Sequence, residues 1–249
     1  MVQDRELNDY YIQYQNLPFE SVQEIFRKRA IIDFINPEHK RSALEIGCGR
    51  RSIFCDYPKF ENITIIEPIE EFLSQAIQDL SEAASDLNPI LSMIESADLA
   101  SGQCFETVIL SSLLHEVPNP EEILSQIRRH LDSESELIVV VNNRDSIHRV
   151  LGHHIGILSS LDDLTATNVI MQQKRGVFST RELDSLLSST GFTVQKMETF
   201  MPKLLPHASL QAAIDENVIS INFIEDLYAL NSKFPAFGSE IIAKARLAS

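Results

Sequence analysis

A short apolar strand that runs straight into a glycine turn constrains this chain most. The stretch is Ser42–Ser52, Ser-Ala-Leu-Glu-Ile-Gly-Cys-Gly-Arg-Arg-Ser. Ala43–Ile46 reads as the strand. Gly47 and Gly49 follow; they can take backbone angles closed to other residues, and they have no side chains to hold a ligand off the main chain. A second apolar strand, Ile63–Ile66, ends in Glu67. An acid roughly 20 residues beyond a glycine turn is placed to accept hydrogen bonds from ribose hydroxyls at the carboxyl edge of an open α/β sheet. The pairing implies a nucleoside-containing cofactor.

Three segments carry a family resemblance. Leu44-Glu45-Ile46-Gly47-Cys48-Gly49 is similar to the first motif of class I S-adenosylmethionine-dependent methyltransferases, of the small-molecule type. Ile66-Glu67-Pro68 resembles the second motif, and Leu110–Pro120 the segment after the fourth strand. The resemblance implies a Rossmann-like, doubly wound, seven-stranded sheet, mostly parallel, with helices on both faces and cap insertions. In it the seventh strand lies antiparallel between the fifth and sixth. It implies S-adenosylmethionine as cofactor, held by Gly47, Cys48, Gly49, Glu67, Pro68, Ser96, Ala97 and Ser111, with Glu45 ordering the loop. It also implies methyl transfer by direct displacement to an oxygen or nitrogen of a small molecule. Arg50 and Arg51 depart from the pattern, because many members have a third glycine near that position.

Composition narrows the rest. The chain has 249 residues, 44% of them hydrophobic, and a formal net charge of −15. That charge repels phosphate backbones and anionic membranes, so neither nucleic acid nor membrane is an expected partner. No apolar run reaches the roughly 18–20 residues that cross a bilayer, and no signal peptide is visible at Met1. Cys48, Cys55 and Cys104 lack metal-ligand spacing, so reduced thiols, a cytoplasmic setting and no metal are expected. Oligomeric state is not legible.

Along the chain, helical spacing predicts a helix over Glu20–Ile35, ended by Pro37, and another over Phe72–Ala84. A third strand is expected at Ile90–Ile94, a fourth at Thr107–Leu110, and a fifth, β-branched and buried on both faces, at Leu137–Val141. Asn119, Pro120, Glu121 and Glu122 signal a helix start, with Arg128, Arg129 and His130 at its far end. A helix follows over Ser146–Leu158, and residues 159–178 read as a partly helical insertion. Ser179 and Glu182 form a capping-box pattern and Gly191 a stop. Strand six is expected at Phe192–Glu198, an irregular or short-helical insertion at Lys203–Asn217, a helix at Ile219–Leu230 and a last strand at Glu240–Arg246. The domain reading is a single unit: a helical cap over 1–36, a cofactor-binding core over 37–141, and 142–249 completing the core with acceptor-side insertions.

Two histidines follow strand ends and are the candidate catalytic groups. His115 comes after strand four and His148 after strand five, each able to take a proton near neutrality. The expected acceptor pocket draws on Tyr10, Tyr14, Phe19, Arg149, Lys174, Arg175 and Phe178, aromatic faces with cations suited to a polar, anionic metabolite. An NAD-type reductase fits less well, since Ser52 stands where the dinucleotide fingerprint needs its third glycine. A cofactor-binding protein without turnover is the other alternative, kept open by Arg50 and Arg51.

Overall fold

The computed structural model describes residues 7–57, 59–81, 86–100, 102–173, 175–233 and 235–248. Residues 1–6 of the expected cap lie outside this set. Two helices come first, α1 (Leu7–Gln15) and α2 (Glu20–Phe34). The chain then runs β1 (Ser42–Ile46), β2 (Asn62–Glu67), α3 (Glu70–Leu80), β3 (Asp86–Leu91), β4 (Thr107–Ser111), α4 (Pro120–Ile127) and β5 (Glu136–Asn142). It finishes with α5 (Ile147–His154), α6 (Ala166–Ile170), α7 (Thr180–Ser189), β6 (Phe192–Phe200), α8 (His207–Asp215), α9 (Ile221–Ala229) and β7 (Glu240–Leu247).

Among the described residues these strands form a seven-stranded sheet in the order β3-β2-β1-β4-β5-β7-β6. Pairing is parallel from β3 through β5, and β7 runs antiparallel to both its neighbours. This is the Rossmann-like sheet that the resemblance implied. Successive side chains on a strand face opposite sides, and two cores result. Ala43, Ile63, Ile65, Ile109 and Ile138 pack with Phe26, Ile31, Phe34 and Phe72 of α2 and α3. Leu44, Ile66, Val108, Leu110 and Val139 pack with Ile123, Leu124, Leu183 and Leu187 of α4 and α7.

Some boundaries differ from expectation. Strand β3 begins four residues earlier, and Ile94–Ser96 is a 3₁₀ turn. Pro89 hid the strand, yet β3 is an edge, where a missing N–H costs no ladder bond. Asn119 makes no capping bond to the backbone; its amide instead donates to Glu122 at 3.4 Å. Helix α5 stops at His154, and Gly156 follows at φ +79°. The Ser179–Glu182 capping box forms: Ser179 Oγ accepts from the Glu182 amide at 3.2 Å, and the Glu182 carboxylate accepts from the Ser179 amide at 2.8 Å. Ser179→Ala should therefore cost about 1 kcal/mol. Urea unfolding should show a lower midpoint at an unchanged slope.

Candidate active site

Five strand ends, Ile46, Glu67, Leu91, Ser111 and Asn142, reach one edge of the sheet. Because β7 is antiparallel, its first residue arrives there too: Glu240 lies opposite both Asn142 and Phe200. Above this edge sits a cavity of about 1060 Å³.

The first half of the cavity is built by the glycine turn. The Gly47 amide donates to Ile66 O at 2.8 Å, tying the turn to β2. Gly47 (φ +79°) and Gly49 (φ +56°) take the left-handed conformation, and the space beside Gly47 is open where a side chain would stand. Glu67 is buried and accepts from the amides of Gly49 (3.2 Å) and Ile69 (3.0 Å). Burial raises its carboxyl to about 7, against the pull of those two amides. Cys48 is buried with its thiol 3.7 Å from Glu67, and burial pushes the thiol well up, so it stays protonated. Glu45 points to the α2 side, accepting from Ser52 Oγ and the Ile53 amide, and burial lifts it to about 7 as well. Pro68, Ser111, Met93 and Glu95 complete this half.

Ser96 and Ala97 do not line the cavity as expected. Because β3 ends at Leu91, the chain turns earlier: Ser96 faces solvent, bonded to Met93 O, and Ala97 packs on the second core. Glu95 lines the wall instead, and its Oε2 is buried without a hydrogen-bond partner among the described residues. Ser112, left-handed at φ +59°, also lines the cavity with an unpartnered Oγ.

Helix α1 lies over the turn. Tyr10 and Tyr14 stack at 5.8 Å, Tyr14 meets Phe72 edge-on at 5.6 Å, and Tyr14 Oη comes within 3.4 Å of where a Gly49 Cβ would be. Tyr10 Oη donates to the Glu116 carboxylate at 3.3 Å, which also accepts from Gln173 at 3.0 Å. Arg50 reaches Glu24 at 3.4 Å and covers the Tyr14 ring, while Arg51 pairs with Asp56 at 3.0 Å. Both departures from the glycine pattern thus hold ion pairs.

The second half is lined by His115, Asn142, His148, Arg149, Lys203 and His207. His115 is buried, with its Nε2 3.2 Å from the Asn142 amide nitrogen. His148 Nδ1 is buried without a partner among the described residues, and burial, then Lys203 and Arg149, hold the ring neutral. Arg149 donates to Leu161 O at 2.8 Å and Asp163 O at 2.6 Å, clasping the insertion.

Three expected acceptor residues sit elsewhere. Phe19 is in the core at φ +62° with its ring 5.6 Å from that of His207. Phe178 is fully buried, its backbone bonded to Asn142 and Arg144. Arg175 stacks on Phe178 and pairs with Glu182 at 2.8 Å. Lys174 lies outside the described residues. What sequence reasoning missed is a buried polar network of Glu20, Gln23, Arg27, Lys203 and Glu240, joined by the half-buried His207; the helical spacing of Glu20, Gln23 and Arg27, which puts three polar groups on the face of Phe26 and Ile31, was the available signal.

A sheet of this order, with a glycine turn and an acid-ended second strand at its carboxyl edge, defines a nucleoside-cofactor protein of the doubly wound class. The family model described as a methyltransferase domain matches residues 14–197, and the chain belongs to that family. No curated protein matches the chain. Among solved structures it is similar to an S-adenosylmethionine-dependent methyltransferase from Mesorhizobium loti (13% identity, 88% of this chain and 96% of that one, TM-score 0.60). It is also similar to geranyl diphosphate C-methyltransferase from Streptomyces coelicolor A3(2), a complex with Mg2+, geranyl diphosphate and S-adenosyl-L-homocysteine (13%, 92% and 78%, 0.60). A third is the [4+2]-cyclase SpnF (15%, 91% and 82%, 0.58). At these identities the likeness shows the fold. The donor set of this chain fits S-adenosylmethionine: a carboxylate for the ribose, open main chain at Gly47, and orphaned oxygens on Glu95 and Ser112 for the remaining polar groups. No group of His, Cys, Asp and Glu among the described residues is arranged to hold a metal, and no helix among them is long and apolar enough to cross a membrane.

Proposed function

We propose that the chain is an S-adenosylmethionine-dependent methyltransferase acting on an oxygen or nitrogen of a small molecule. The observation that carries this reading is the cavity itself, which runs unbroken from the Gly47–Glu67 corner to the His115–His148 side. When bound, S-adenosylmethionine supplies a methyl group already activated on a sulfonium sulfur. Glu67 accepts from the ribose hydroxyls, Gly47 and Gly49 let the main chain make contact, and Glu95 and Ser112 take further polar groups. Leu7, Tyr10, Tyr14 and Phe72 cover the turn and exclude water. His115 and His148 position the acceptor: with Nε2 engaged by Asn142, His115 fixes the wall, and His148 presents Nδ1. Alignment of the nucleophile is then the main task left to the protein.

S-adenosylhomocysteine at about 100 times its dissociation constant should stabilise the protein by roughly 2.7 kcal/mol, read as a melting shift of several degrees. NAD at the same concentration should leave the melting temperature unchanged. No shift at about 1 mM S-adenosylhomocysteine, with folded protein, would remove the cofactor. Transfer of labelled methyl into a metabolite extract separates turnover from binding alone.

A further inference from the structure

Lys203 sits between β6 and α8, where the chain crosses the carboxyl edge of the sheet. It is 3% exposed and faces the cavity. Its Nζ donates to Gln23 Oε1 at 2.7 Å and touches His207 Nε2, which itself lies 2.6 Å from the same Gln23 oxygen. Two nitrogens crowd one amide oxygen, and the carboxylates nearby are already occupied. Glu240 accepts from Arg27 Nε at 2.9 Å and from Gln23, and Glu20 accepts from Arg27 at 3.0 Å. Across the cavity wall stands His148 with its buried, unpartnered Nδ1. Three nitrogen-bearing side chains therefore line one cavity without a carboxylate of their own.

We propose that Lys203, His207 and His148 form a seat for a carboxylate carried by the methyl acceptor. The inference rests on the methyltransferase reading and names the substrate class. The charged and titratable groups facing the seat are Glu20 and Arg27 of α2, Glu240 of β7, and His148 and Arg149 of α5. Burial lowers Lys203 to about 7, with Glu240 and Glu20 opposing that shift and Arg27 adding to it. Burial, then Lys203, His148 and Arg27, keep His207 neutral. Lys203 is thus only partly charged at neutral pH, because the two carboxylates that face it are engaged by Arg27 and do not offset its burial. An arriving carboxylate supplies the missing counter-ion, Lys203 takes up a proton, and a charge-assisted hydrogen bond forms in a water-poor wall. Arg149 and Arg175, the cations expected to do this from sequence, are committed to Leu161 and Asp163 carbonyls and to Glu182.

The test uses the full chain saturated with S-adenosylhomocysteine. Its probes are matched pairs of one skeleton: benzoate and benzamide, cinnamate and cinnamamide, hexanoate and hexanamide. Ligand-observed NMR should show the acids binding in preference to the amides. K203M should weaken the acids about tenfold or more, with S-adenosylhomocysteine affinity, measured in the same samples by calorimetry, unchanged and reporting an intact fold. Calorimetry of the best acid on the wild-type protein in phosphate and in Tris should show net proton uptake near pH 7.5, a readout that needs no variant. Equal binding of amides, no binding of either series, acid binding that survives K203M, or binding without proton uptake overturns the seat. Failure of S-adenosylhomocysteine to bind the wild-type protein instead overturns the cofactor reading, and the acid series is then judged on the ligand-free protein.

Discussion

Arg27→Ala should destabilise the protein by about 3–5 kcal/mol, the cost of leaving one member of a buried ion pair alone. Arg27 and Glu240 are both buried, with side-chain exposures of 8% and 0%. The guanidinium bridges Glu240 and Glu20, so its loss strands two buried carboxylates. Burial pushes Glu240 up, yet the Arg27 charge and hydrogen bonds hold it below the usual carboxylate range. A depressed folded-state value gives stability that is present above the ordinary carboxylate range and lost as pH falls through the depressed value. The acid limb of the wild-type stability curve should therefore shrink in Arg27→Ala. Urea unfolding at pH 7 is the measurement, and an unchanged midpoint would show that the pair contributes nothing. The double replacement Arg27→Met, Glu240→Leu should cost less than Arg27→Ala, because it leaves one buried carboxylate, Glu20, without the guanidinium instead of two.

Glu67→Ala should weaken S-adenosylhomocysteine binding by roughly 1.5–3 kcal/mol, about 10- to 150-fold. The side chain ends β2 and fills no part of either apolar core, so circular dichroism should report an intact fold. In the ligand-free protein its carboxyl titrates at about 7 because of burial. Ribose hydroxyls donate to the anion and so favour it. Binding at neutral pH should then release part of a proton, and affinity should fall as the pH drops below 7. Equal affinity in wild type and Glu67→Ala would place the ribose elsewhere.

The cofactor half was largely legible because its signals are local. A turn that demands positive φ selects glycine, and a strand buried on both faces selects β-branched residues, so Gly47, Gly49, Glu67 and β5 announce themselves. Strand β3 did not, since an edge tolerates Pro89 and polar residues that a central strand refuses. That error moved the turn and exchanged Glu95 for Ser96 and Ala97 on the cavity wall. The acceptor half was poorly legible because its chemistry is assembled from distant pieces. Nothing near Lys203 in sequence predicts Gln23, 180 positions away, as its acceptor. Arg149 and Arg175 look like ligand cations in a string of letters, and only the fold reveals the carbonyls and the carboxylate that occupy them.

The antiparallel seventh strand sets an order of assembly. Arg27 and Glu240 are 213 positions apart, and their pairing waits until everything between them has been made. The glycine turn, β2 and α1 have no such wait, because their partners lie within the first half of the chain. During synthesis the cofactor corner can close early, while the opposite wall stays open until β7 slides between β5 and β6. A nascent chain halted before residue 240 would carry the nucleotide corner and the seat residues, but the α2 cation would lack Glu240 and keep only Glu20 of its own helix. Such long-separation contacts slow the final collapse and extend the time that the edges of β5 and β6 are exposed.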